Sequence, residues 1–145
     1  MGKSTVFKNN LLLLIFNNTP IADVGDVSGI LGSGTTGSLY LSLHTSDPST
    51  GAQSTSETAY TGYTRKPIAR TGGGFIVTAN IVTLAANVNF PDCVGSPGGA
   101  ITHIGVGTDV SGAGHLLFAG AVSPSITMNL GVIPQVTTAS TITEV

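Results

Sequence analysis

Residues 38–44, Ser38-Leu39-Tyr40-Leu41-Ser42-Leu43-His44, alternate around Leu39, Leu41 and Leu43. A period of two over this length marks a strand with one buried face. The pattern continues outward along the chain. Thr45–Glu57 is a polar loop with turn signals at Asp47-Pro48 and Ser49-Thr50-Gly51. Tyr60–Arg70 is extended, and Pro67 within it favours an edge or a bulge. Gly74–Ala79 and Ile81–Leu84 predict a hairpin around Asn80, and Asn87–Phe90 continues in period two. After a loop over residues 91–99 come a strand at Ile101–Gly107 and a turn at Ser111–Gly114. Strands follow at His115–Val122 and Ser125–Leu130, and a Thr-rich strand at Gln135–Val145. The expectation is a mainly β fold: an antiparallel β-sandwich or jelly-roll-like domain of about eight strands.

Before the first strand the pattern differs. Residues 3–18 predict a helix, with Ser4 as N-cap and Asn17, Asn18 and Pro20 as the stop. Leu11–Phe16 is apolar all round, so this helix is covered on several sides. Residues 19–37 are rich in Gly, Ser, Thr and Asp, and Gly32–Gly37 reads as a flexible loop. The division expected is therefore an N-terminal helix with a Gly/Ser-rich docking arm over 1–37 and a β-sandwich domain over 38–145.

Composition limits what such a chain does. The 145 residues include five Lys and Arg and seven Asp and Glu, a net charge of −2. Charged residues are 8%, where a soluble domain carries about 25%. So few cations exclude an electrostatic nucleic-acid binder. The single Cys excludes an intrachain disulfide framework and a Cys-based zinc site. A chain with so little charge keeps a Thr, Ser, Asn and Gly surface or covers much of it with other subunits. Lys3 and Lys8 before Leu11–Phe16 faintly imitate a signal peptide, but the apolar run is short and no small-residue cleavage site follows. The run is also too short to span a membrane.

No motif carries chemistry. Gly2-Lys3-Ser4-Thr5 lacks the upstream glycine and strand of a phosphate loop. His44, Asp47 and His103 are an imaginable metal set, yet His44 closes a strand and Asp47 precedes a proline in a turn. No serine lies in a nucleophile elbow. Cys93 reads as a small buried hydrophobe. Arg65, Lys66 and Arg70 form the one basic cluster and read as a solvated or intersubunit face. Tyr40, Tyr60 and Tyr63 are the rings a sugar-binding surface would use, and Asn17-Asn18-Thr19 is a formal glycosylation sequon. No catalytic, cofactor-binding or metal residue is assigned.

Several phrases, in order, resemble a family of small tailed-bacteriophage virion proteins often labelled phage tail fibre proteins. Leu39–Pro48 is similar to its opening "LYLSLHTADP" and Glu57–Arg65 to "E-x-x-Y-x-G-Y-x-R". Asn89-Phe90-Pro91, Ile101–Gly107 and Ser111–Ala121 match its "x-F-P", "x-T-H-x-G-I-x" and "S-G-x-G-x-L-L-x-x-G-A-L" phrases. Phe75 stands where the family usually has Trp. The resemblance implies a structural role in a virion and leaves tail, neck and capsid surface open; the expectation is a non-enzymatic protein attached to the tail or neck. Its expected partners are other virion proteins and copies of itself, with no nucleic acid, membrane or cofactor. A capsid decoration protein is the alternative within that class, and a receptor- or carbohydrate-binding module a third reading.

Overall fold

Ser4 starts the fold as expected. In a computed structural model describing residues 1–145, its hydroxyl accepts from the Phe7 N–H at 3.2 Å and opens helix α1, Thr5–Asn17. Asn18 ends the helix in the left-handed region at φ 55°, a role asparagine fills because it tolerates that conformation. Nine strands follow: β1 Ser38–His44, β2 Lys66–Ala69, β3 Phe75–Thr78, β4 Ile81–Leu84, β5 Val88–Asn89, β6 Ile101–Gly107, β7 Leu116–Ile126, β8 Gln135–Val136 and β9 Thr141–Thr143. The expected class holds: mainly β, in antiparallel sheets, with one N-terminal helix.

The chain forms two compact units. The first comprises Met1–Ser38, Ile68–Asn87 and Thr137–Val145; the second comprises Leu39–Pro67 and Val88–Val136.

In the first unit, β3, β4 and β9 form a sheet in that order. The β3–β4 hairpin turns at Asn80, as predicted. Phe75 pairs with Leu84, and Val82 with Ile142 of β9. Phe75, Val82 and Leu84 are buried. Leu12 and Phe16, one helical turn apart, are fully buried. The Phe16 ring meets Phe75 edge-on, with centroids 4.9 Å apart. The remaining apolar residues of α1 from Leu11 to Ile15 are half-buried, as an all-round apolar helix requires. Residues 32–37 are a loop, but a tethered one. The Asn18 amide donates to the Ser33 carbonyl at 2.9 Å and accepts from the Ser33 N–H at 2.7 Å.

In the second unit, β1 runs antiparallel to β6 from Tyr40↔Gly107 to His44↔His103. Beside β6 lies β7, the outer strand of this sheet. Leu39, Leu41 and Leu43 are buried, as the alternation predicts. Ser42 and His44 are buried as well, so the last half of β1 is covered on both faces. A two-stranded ladder joins β5 to β8 through Val88↔Val136.

Two strand readings need correction. His115–Val122 and Ser125–Leu130 merge into the eleven-residue β7 despite Pro124. The proline is accommodated because β7 is an edge strand and the register shifts between Ile101↔Ile126 and His103↔Ala121. Conversely, Gln135–Val145 is two strands. A turn in which the Ser140 N–H donates to the Thr137 carbonyl separates β8, paired with β5, from β9, paired with β4.

Candidate functional site

The most connected polar group in the molecule is built from Glu57, Tyr63 and Arg65. Arg65 Nε donates to Glu57 Oε1 at 2.7 Å and its Nη2 to Oε2 at 2.6 Å, a bidentate fork. The remaining donors reach backbone: Nη1 to the Asp109 carbonyl at 2.9 Å and Nη2 to the Gly112 carbonyl at 2.7 Å. The Tyr63 hydroxyl donates to Glu57 Oε1 at 2.6 Å and accepts from the Leu43 N–H at 3.1 Å. The Arg65 side chain is 2% exposed. Its bonds to the Glu57 carboxylate hold its pKa above the ordinary arginine value. Burial, followed by the bond to Glu57, pushes the Tyr63 phenol far above the usual tyrosine range.

The same segment anchors an aromatic stack. Tyr60 is buried, and its hydroxyl donates to the Pro91 carbonyl at 2.8 Å. Burial, with the nearby Cys93 and Asp92, pushes its pKa up to about 12. Its ring meets Tyr63 edge-on at 5.3 Å, and Tyr63 stacks on Phe90 at 6.2 Å. Gly62 lies between them at φ 104°, where a Cβ would come within 2.7 Å of the Asp92 carbonyl. That position demands glycine on both conformational and steric grounds. A depression of about 220 Å³ borders the cluster beside Val110 and Gly112. Its carboxylate and guanidinium are paired to each other, so the arrangement fastens loops together.

Two of the three histidines, His44 and His103, are likewise occupied. His44 Nδ1 lies 2.9 Å from the Thr55 carbonyl and Nε2 lies 2.9 Å from Ser42 Oγ. A carbonyl only accepts, so Nδ1 carries the proton and Nε2 accepts from the serine hydroxyl. The pair has the outline of a Ser–His dyad, but neither residue has any exposed surface, and a substrate cannot reach it. Burial depresses the His44 pKa. Asp47 is solvent-exposed and accepts from the Ser49 N–H at 2.9 Å, which lowers its pKa and makes it a turn former. His103 contacts Thr102 Oγ1 at 2.9 Å. No group of three His, Cys, Asp or Glu side chains is placed to hold a metal ion.

The basic cluster needs correction. Arg65 is buried in its fork, whereas Lys66 and Arg70 are half-buried. Arg70 closes the end of α1: Nε donates to the Ile15 carbonyl and Nη2 to the Leu14 carbonyl, both at 2.7 Å. These are carbonyls a helix end leaves without partners, and a cation there also opposes the helix dipole. Adjacent positions in the sequence therefore serve different ends. Tyr60 and Tyr63 are taken into the stack and do not form a sugar-binding surface. Cys93 is a free, fully buried thiol, as expected. Asn17 of the sequon donates to the Phe75 carbonyl at 3.0 Å.

Sequence reasoning missed Gln53. It is fully buried in a segment expected to be an exposed loop. Its amide donates to the Tyr40 carbonyl at 3.0 Å and accepts from the Asp109 N–H at 3.2 Å. Gly107 and Gly114 make room for it; a Cβ on either would come within 2.7 Å of its side chain. The signal available was those two glycines, although nothing in them names the residue they admit.

The phrases of the family resemblance thus converge. Glu57 to Arg65, Phe90-Pro91, the Gly105/Gly107 strand and the 111–114 turn all contribute to one network. A family model described as podophage GP4 fiber I protein gp80 matches residues 31–143. The chain belongs to this family. No individual curated protein matches it. As a member of a phage fibre family it is a tail-fibre-like structural protein, a component of the virion, and it associates with other virion proteins. The matched residues take in every quoted phrase; α1 lies outside them.

Proposed function

We propose that the chain is a non-enzymatic structural subunit that attaches to the tail or neck of the particle through contacts with neighbouring subunits, copies of itself among them. The observation that carries this reading is the employment of the family's characteristic residues. Glu57, Tyr60, Gly62, Tyr63 and Arg65 are engaged in holding loops of the chain to one another. A family whose signature residues build a scaffold acts by shape and contact. Of residues 1–37, the Gly/Ser-rich stretch 19–37 serves as the docking arm, while α1 packs within its own unit. Val24, Val27, Ile30 and Leu31 in the arm are exposed apolar side chains, which a partner would cover.

A reconstruction of the particle tests this. The expected result is density for the chain at the tail or neck, in multiples of three or six copies, with residues 19–37 against a neighbour. Hundreds of copies spread over the capsid would identify a decoration protein instead, and absence from purified particles would overturn the reading.

A further inference from the structure

The sheet of the second unit ends in β7, which has β6 along one side and no strand along the other. A strand edge offers backbone donors and acceptors at strand spacing, and proteins ordinarily guard such edges with charges, short length or bulges. β7 is eleven residues long and contains no Asp, Glu, Lys or Arg. Its ladder with β6 is irregular near both ends, around Ser123-Pro124, where the proline has no N–H to offer, and between Leu116 and Phe118; between them Phe118–Ala121 pair regularly with His103–Val106. The preceding residues Ala119, Gly120 and Ala121 are exposed, and a Cβ added at Gly120 would meet nothing within 4 Å.

We propose that the edge of β7 around Ala119–Val122 pairs antiparallel with the same edge of a second copy. This rests on the structural-subunit reading above and names the surface through which copies meet. The chemistry of the edge selects the occupant. No Lys or Arg follows Arg70, and no charged side chain lies between Asp109 and Glu144. A charged partner strand would find no counter-ion here, so the complement is itself uncharged, extended and long, which describes β7. Two antiparallel strands related by a twofold axis present identical edges, giving a closed, isologous contact. Added main-chain hydrogen bonds supply the affinity.

Sedimentation velocity on the full chain is the test. The wild type forms a concentration-dependent dimer. Gly120→Lys places its side chain in open space in the monomer, so its melting temperature stays that of the wild type. Near the twofold axis, however, it sets like charges together and raises the dimer Kd at least ~10-fold. Ala119→Lys has the same effect and serves in its place if Gly120→Lys fails to fold. A mixture of Gly120→Lys and Gly120→Glu recovers the association that neither shows alone. A monomeric wild type, variants that dimerise like the wild type, or a mixture that does not recover would each overturn the proposal. Immunoblots of purified particles report separately on the structural-subunit reading: a chain missing from particles sinks that reading without altering the sedimentation result.

Discussion

Arg65 is buried with its guanidinium forked on Glu57 at 2.7 and 2.6 Å, and its other bonds reach carbonyls of Asp109 and Gly112, far along the chain. One side chain thereby fixes the turn after β6 to the segment that precedes β2. A buried pair of this kind loses most when only one partner is removed, because the survivor keeps its charge without compensation.

Arg65→Ala is expected to destabilise the protein by about 3–5 kcal/mol. The double change Arg65→Met with Glu57→Leu should recover a large part of that loss, since it leaves no orphan charge. Urea denaturation of the single and double variants measures both. Equal destabilisation in the two would show that lost packing, and not the lone carboxylate, sets the cost.

Gly107→Ala would put a methyl group about where the Gln53 amide sits, with the Gln53 Cδ only 2.2 Å from the new Cβ. The expected destabilisation is about 1–3 kcal/mol, as for other overpacked cores. Gln53→Ala in the same chain should relieve part of it. A double-mutant cycle reads the coupling; strictly additive effects would mean that the two positions do not share the space.

Phe16→Ala removes the ring that covers Phe75 and should cost about 3–5 kcal/mol, judged by thermal denaturation. Arg70→Ala should cost less, roughly 1–3 kcal/mol. Its signature is faster amide hydrogen exchange in the last turn of α1 and around Ser33, where Arg70 Nη1 donates at 3.0 Å. Unchanged exchange there would contradict the capping role.

His44 sets an acid limit. Its folded pKa lies below the ordinary value of 6.5 because burial disfavours the imidazolium. The unfolded chain therefore binds a proton more readily than the folded one. The stability contributed by neutral His44 is complete above pH 6.5 and falls as the pH drops toward the folded pKa, by at most ~1.4 kcal/mol per pH unit. Urea midpoints measured between pH 7.5 and 5 should decline, and His44→Gln should flatten the decline. A variant as acid-sensitive as the wild type would assign the effect to other groups.

Much of the β architecture was legible because alternation is a local signal. Leu39, Leu41 and Leu43 announced β1, and Phe75 with Val82 announced the hairpin. The helix was legible in its caps, Ser4 and Asn18. What escaped was nonlocal. Ser42 and His44 look like the solvent face of β1 until residues 45–57 fold over them. Arg65, Lys66 and Arg70 look like one patch, and only the separate destinations of Glu57 and the α1 carbonyls distinguish them. Pro124 and the Thr137–Ser140 turn misled the strand count, since whether a proline interrupts a strand depends on which edge it occupies.

The first unit gathers α1 from early in the chain and β9 from late in it, with Lys3 and Glu144 in a 2.8 Å ion pair. A ribosome releases these segments in sequence. The apolar helix waits, without the finished sheet it packs on, for a strand that is made long afterwards, so this unit cannot complete its fold from the N-terminus onward in order.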